Sequence, residues 1–362
     1  MESALVTAVL RELRAVLPRD WSVSWEPPAG PGEADGLVRY KAPDGQNLSF
    51  VMEVKRRYSG PAETLVDGAM KWAEQNRLPA LLAVEYANPA LRKACEAAGV
   101  SFVDTTGWIW IDGAGPPGLV IRSQGARRSP VIRPNTMSRL DGPGAGRVIR
   151  KLWGINSGFP IGVRELAQEA GVAAGTVSKV LPALESYGAV TRDGNGRIVD
   201  RDRRLLLQRW TQDYDFRTSN RRVGWFLAPR GLHAVNQKIP TIPKGFRISS
   251  TGPSAAPFLL ADRDLIAVLP LTTAAYYAQD IDALAEILGV VESPQQAAAN
   301  VIIAEPRDLN DSDLLRAFGG GPSSVYWAPP VQVLADLATM GGRYPELAEQ
   351  ILQALTEDER SS

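Results

Sequence analysis

The chain has 362 residues, 44% hydrophobic and 22% charged, with 40 Lys/Arg balanced by 40 Asp/Glu. That length suits two or three domains, and that balance suits folded cores rather than a disordered polyelectrolyte. One cysteine, Cys95, excludes an internal disulfide and a cysteine zinc site, and one histidine, His233, argues against His-rich metal sites and a Ser-His-Asp triad.

The N-terminal MESALVTAVLRELRAVL breaks its apolar residues with Glu2, Arg11, Glu12 and Arg14. It is therefore expected as an amphipathic helix over residues 3–17, with Leu5, Val9, Leu10, Leu13 and Val16 on one stripe, and not as a signal peptide. No run of about 18 apolar residues occurs, so no membrane partner is expected, and the single cysteine fits a reducing cytoplasm. The zero net charge hides an asymmetry. Arg122 to Arg230 holds 20 Lys/Arg against 9 Asp/Glu, and the rest of the chain is correspondingly acidic. A basic middle points to a polyanionic partner for that part alone, with a solvated basic surface as the plainer reading.

WSVSWEPP reads as a strand that stops at Pro27-Pro28, and PAGPGEAD as a loop. LVRYKA and LSFVMEVKRR read as strands joined by the turn PDGQN. A helix is expected from Glu63 to Arg77, then a buried strand in LPALLAVEYA. NPALRKACEAAG has Asn88 as N-cap, Pro89 at the first helical position and Gly99 as stop. VSFVD, WIWIDG and GLVIRS add three short strands. The order α-β-β-β-α-β-α-β-β-β predicts a mixed α/β domain over residues 1–123. SQGARRSPVIRPNTMSRLDGPGAG, residues 124–146, reads as a linker or basic arm carrying Arg127, Arg128 and Arg133.

Residues 147–214 form the next unit. Val163, Leu166, Ala167 and Ala170 make the inner stripe of one helix, Gly171 permits the left-handed residue that ends it, and Val172 plugs the corner. Ala174 to Tyr187 is the second helix, with Val177, Val180, Leu181 and Leu184 inward and Ala173, Ala174, Gly175, Thr176, Ser178 and Lys179 outward. Pro182 is expected to bend it after Leu181. Val190-Thr191-Arg192 and Arg197-Ile198-Val199 flank Asp193-Gly194-Asn195-Gly196 as a hairpin with an arginine on each arm. Helix, glycine turn, helix and hairpin over about 65 residues resemble the winged helix-turn-helix family. The resemblance implies duplex DNA as partner, with Thr176, Ser178 and Lys179 in the groove. Arg192 and Arg197, with Arg127, Arg128 and Arg133 of the arm, would take phosphates, and no cofactor is required. Winged helices also dock proteins, so a scaffold without a DNA role is a further reading.

In the first domain Glu53 and Lys55 are i, i+2 on a strand and share a face, and Asp35 precedes the partner strand. Asp35…Glu53-Val54-Lys55 in this element order resembles the restriction-endonuclease-like (PD-(D/E)xK) fold. That resemblance implies that Asp35 and Glu53 ligate Mg²⁺ while Lys55 activates a water. An active nuclease, a nuclease-like module without catalysis and an unrelated α/β domain all stay open.

Residues 215–362 read as a third, mixed α/β domain. RGLHAVNQKIP, FRISSTG, DLIAVLPL and NVIIAEP are its mixed elements, and PPVQVLADLATM and YPELAEQILQAL its helices. STGPSAAPFLLAD is expected as a small-residue turn before an apolar segment. Arg263-Asp264 and Arg307-Asp308 are expected as surface pairs. Tyr276, Tyr277, Tyr326 and Trp327 are core and rim aromatics, or else a ligand or partner face.

FVDTTGWIWI, RLLLQRWTQDY and VQVLADLATMGGRYPELAEQIL are similar to the AbiEi-like antitoxin and transcriptional-regulator group of bacteria, whose members carry a winged helix followed by an α/β domain. The likeness implies a cytoplasmic, sequence-specific double-stranded DNA-binding regulator that represses its own operon, nucleoid-associated when bound. The C-terminal domain itself is expected as a scaffold or partner-binding unit, for a homodimer or for a cognate toxin or other protein. This leading reading is not an enzyme. The alternative is a Mg²⁺-dependent endonuclease targeted by the winged helix.

Overall fold

The computed structural model describes residues 2–28, 34–56, 58, 61–127, 129, 137, 139–156, 158–261, 272–319 and 325–357. The architecture is mixed α/β. It divides into two compact units, one of Met1–Thr136, Phe159–Val163 and Leu181–Leu205, the other of Met137–Gly158, Arg164–Val180 and Leu206–Ser362.

The first unit opens with α1 (Glu2–Val16), β1 (Ser22–Glu26), β2 (Leu37–Lys41), β3 (Asn47–Lys55), α2 (Ala62–Asn76), β4 (Ala80–Val84), α3 (Pro89–Ala98), β5 (Ser101–Asp104), β6 (Ile109–Gly113) and β7 (Leu119–Ser123). This is the order read from the sequence. The seven strands form one sheet in chain order, parallel in β3–β4–β5 and antiparallel outside it. The expected stripe of α1 covers one face, where Leu5, Val9 and Leu13 pack with Phe50, Met52 and Val54. α2 and α3 cover the other, where Val66 and Leu91 pack with Val51, Leu82 and Phe102. A strand covered on both faces reads as an apolar run, which is why FVMEV carries only one charge. Asn88 caps α3 by accepting from Leu91 N at 2.9 Å, and Gly99 closes it at φ 69°.

The chain continues through α4 (Pro143–Gly154), α5 (Val163–Glu169), α6 (Ala174–Tyr187), β8 (Val190–Arg192), β9 (Ile198–Arg201) and α7 (Arg203–Thr211). α4 begins inside the stretch expected as a linker. Its two internal glycines have a packing reason. A Cβ on Gly144 would lie 3.0 Å from Thr176 Cγ2, and one on Gly146 would lie 3.1 Å from the Arg150 guanidinium. Within the first unit, Gly188 lies at φ 80°, where a Cβ would sit 2.5 Å from Ala90 Cβ, so only glycine lets the chain after α6 lie against α3.

The second unit adds β10 (Arg222–Leu227), α8 (Gly231–Lys238), β11 (Arg247–Ser250), α9 (Gly252–Ala261), β12 (Ala274–Ala278), α10 (Ile281–Leu288), β13 (Val291–Glu292), β14 (Val301–Glu305), β15 (Arg316–Ala317), β16 (Tyr326–Trp327), α11 (Pro330–Met340) and α12 (Tyr344–Glu357). Its sheet runs β13-β10-β14-β12-β11-β15, with β16 paired to β11. The expected turn in STGPSAAPFLLAD is the helix α9 instead. Ala255, Ala256, Leu259 and Leu260 are buried there, and that burial outweighs the poor helix propensity of Pro257. DLIAVLPL and the pair Arg263-Asp264 lie outside the described residues. Among the described residues no helix is long and apolar enough to cross a membrane.

Candidate functional site

The α5–α6 pair is joined at Gly171, which takes φ 60°, and Val172 N donates back to Ala167 O at 3.0 Å. Val177 and Val180 of α6 are fully buried, while Ala174, Gly175, Ser178 and Lys179 are exposed. The N-terminal half of α6 thus presents small and hydrogen-bonding side chains to solvent from a firmly seated helix. Thr176 differs from its expected place. It is half-buried, with its methyl against the glycine face of α4. α6 runs as one helix through Pro182, whose ring leaves the Ser178 carbonyl without its helical donor. At the neighbouring carbonyl, Lys179 O, the backbone N–H of Met137 donates at 2.9 Å.

β8 and β9 pair as a two-stranded hairpin whose tip is ordered by Asp193, which accepts from the N–H groups of Asn195 and Arg197, both at 2.9 Å. Its two arginines are not idle cations. Arg192 Nη2 donates to Glu185 at 2.6 Å, and its Nε is buried without a hydrogen-bond partner among the described residues. Arg197 donates to the Pro160 carbonyl and is otherwise exposed. Arg127 is exposed, with its carbonyl held by the Tyr86 hydroxyl at 3.1 Å. Arg128 and Arg133 lie outside the described residues.

Sequence reasoning missed a polar core in the second unit. Arg147 of α4 donates to the Gly171 carbonyl at 3.2 Å and to Asp308 at 2.6 Å, and its Nε stands 3.5 Å from Asp311. Arg150, whose side chain is 4% exposed, bonds Asp311 and donates to Gln332 Oε1 at 2.9 Å. Gln332 Nε2 then reaches Asp336 at 2.9 Å, and Asp336 also accepts from Tyr214, Tyr277 and Thr251. Burial pushes the Asp336 carboxyl up to about 6 against the pull of those four donors, and burial beside Asp336 pushes both tyrosine hydroxyls well above their usual value. The space beside Arg150 is about 30 Å³, enough for a water. Part of the basic excess of the middle segment is therefore answered by Asp308 and Asp311. The expected surface pair Arg307-Asp308 does not form. Asp308 takes Arg147, and Arg307 donates to Thr218 O. Tyr276 and Tyr277 are core, whereas Tyr326 and Trp327 are exposed at 47% and 44%.

In the first unit Glu53 and Lys55 pair, and Asp35 meets the same strand at its backbone. Asp35 lies just beyond the β2–β3 ladder and extends it with its side chain, accepting from Val54 N at 2.7 Å. Lys55 Nζ is 3.0 Å from Glu53 Oε1. Glu53 is 8% exposed, and its Oε2 is buried without a hydrogen-bond partner among the described residues. Gly68 of α2 faces that oxygen; a Cβ there would stand 3.6 Å away. No group of three or more His, Cys, Asp or Glu side chains suited to a metal ion occurs among the described residues. Mg²⁺ needs no such group, because it keeps several waters and takes one or two carboxylates. The buried, unbonded Oε2 of Glu53 is a donor of the kind such an ion takes.

Comparison of the chain with protein-family models, with curated proteins and with solved structures gives no match in any of the three.

Proposed function

We propose that α4 to α7 with the β8–β9 hairpin form a winged helix-turn-helix, and that the chain is a sequence-specific double-stranded DNA-binding regulator. The observation that carries this reading is the exposed row Ala174, Gly175, Ser178 and Lys179 on a helix whose opposite side is buried at Val177 and Val180. Such a row admits a helix N-terminus close to base edges in a major groove, with Ser178 and Lys179 as the reading side chains. Thr176 is a lesser contributor, because its methyl is spent on α4. Arg197, Arg192 and Arg127 take phosphates, and Arg128 and Arg133 belong to the same basic arm. The likeness to AbiEi-like antitoxins supports autorepression, with the C-terminal domain serving a homodimer or a toxin. The test is a gel shift on the DNA immediately upstream of the chain's own gene, beside a scrambled duplex. Retardation of the upstream fragment at tenfold lower protein concentration is expected, and equal retardation of both would defeat the sequence-specific reading.

A second reading, a Mg²⁺-dependent endonuclease on a restriction-endonuclease-like fold, is favoured by the unbonded Oε2 of Glu53. Asp35 and Glu53 would hold the ion, which supplies Lewis-acid stabilisation of charge on a scissile phosphate. Lys55, held at 3.0 Å from Glu53, would orient the attacking water. Plasmid incubated with the protein and Mg²⁺ or Mn²⁺ decides it. Nicking lost in Glu53→Ala supports the enzyme, and intact plasmid rejects it.

A further inference from the structure

The acidic stretch Asp308–Asp313 of the second unit is not part of any DNA-facing row, yet it grips the helix pair that carries one. Arg147 is the link. One guanidinium spans the carbonyl of Gly171, which is the turn between α5 and α6, and the carboxylate of Asp308, with Asp311 at its Nε. Arg150, one helical turn on, is fixed by Asp311 and by Gln332 of α11. Gly146 leaves the room in which the Arg150 guanidinium lies. From Gly171 a path of hydrogen bonds and one ion-pair contact, Arg147 to Asp311, runs on through Arg150 and Gln332 to Asp336 without leaving the second unit.

We infer that Asp308 is a positioning residue for DNA reading. Through Arg147 it holds the α5–α6 turn, and so the seat of Ser178 and Lys179, in register with the C-terminal domain. A planar guanidinium with fixed donors suits this task, because it constrains angle as well as distance. Loss of the Asp308 carboxylate would leave Asp311, 3.5 Å from Nε, to hold the guanidinium against Gly171, and so loosen base reading without touching the reading helix. This rests on the DNA-binding reading above.

The experiment uses the full chain on its selected duplex and on a random duplex, across a salt series, with Asp308→Asn and Asp308→Glu. Asp308 is half-buried, with its side chain 30% exposed, so the variants are expected to fold and to melt within a few degrees of the parent. Asp308→Asn is expected to cut the ratio of specific to random affinity about tenfold with the salt slope unchanged, since no phosphate contact is lost. Asp308→Glu is expected to restore most of that ratio. A ratio within twofold of the parent would overturn the proposal. So would tighter binding to both duplexes with a steeper slope, which would mean that Asp308 merely masks a cation. If the parent chain shows no salt-sensitive duplex binding at all, the DNA-binding reading itself fails, and this proposal with it.

Discussion

Removing the Asp311 carboxylate is the sharpest test of how the second unit is held together. Arg150 is 4% exposed at its side chain, and so is Asp311, so the pair is a fully buried one. In Asp311→Ala the guanidinium keeps Gln332 Oε1 but loses its counter-charge, and the Asp313 carboxylate at 3.6 Å from its Nε is 46% exposed and a poor replacement. Breaking a buried pair by deleting one partner costs about 3–5 kcal/mol, because the orphaned charge stays desolvated. At about 2–4 °C per kcal/mol for a body of roughly 150–250 residues, the melting transition should fall by about 6–20 °C. Asp313→Ala, which loses only a solvent-screened partner, should cost below about 1 kcal/mol. Urea unfolding of the parent and both variants, read by tryptophan fluorescence, measures the ladder. An Asp311→Ala loss under about 1 kcal/mol, or equal losses for both variants, would refute the burial argument.

Asp336 has a folded-state value near 6 against an ordinary 3.8, so the folded chain binds that proton more tightly than the unfolded chain. Stability from this group is therefore present below about pH 4 and lost as pH rises to about 6, with a plateau above. The difference between parent and Asp336→Asn in urea midpoint should trace that window, and parallel curves from pH 4 to 8 would contradict it. Gly188→Ala should destabilise by about 2–4 kcal/mol through its left-handed backbone and the clash with Ala90, and a neutral result would contradict that packing. Arg197→Ala should weaken binding equally on all duplexes and lower the log–log salt slope by about 1. Arg192→Ala should do less, because Glu185 already holds its guanidinium. An unchanged slope for Arg197→Ala would remove the hairpin from the DNA contact.

The elements of the first domain were legible because their signals are local: the Leu5–Leu13 stripe, the Asn88–Pro89 start and Gly99 stop of α3, the Asp44-Gly45 turn. Glu53 and Lys55 share a face by strand period alone, so their meeting also followed from sequence. That Asp35 bonds Val54 N did not, because it depends on where β2 leaves the ladder. α9 looks like a turn in sequence, since Pro257 and small residues argue locally against a helix, and only burial of Leu259 and Leu260 reverses that. α10 does carry local signals: Asp280 caps it by accepting from Ala283 N, and Gly289 ends it at φ 66°. The Arg147–Asp308 and Arg150–Asp311 pairs span 161 residues in sequence, and no periodicity connects charges so far apart. For the same reason the basic excess of the middle segment overstated the cations left for a polyanion.

The central claim is that the exposed row on α6 reads base sequence, and selection from a random duplex library tests it most directly. The parent chain should enrich a defined motif. Ser178→Ala with Lys179→Ala should still recover duplexes in a salt-sensitive way but with the motif degraded at the positions those side chains contact. The same motif recovered with equal enrichment by both proteins would contradict the claim.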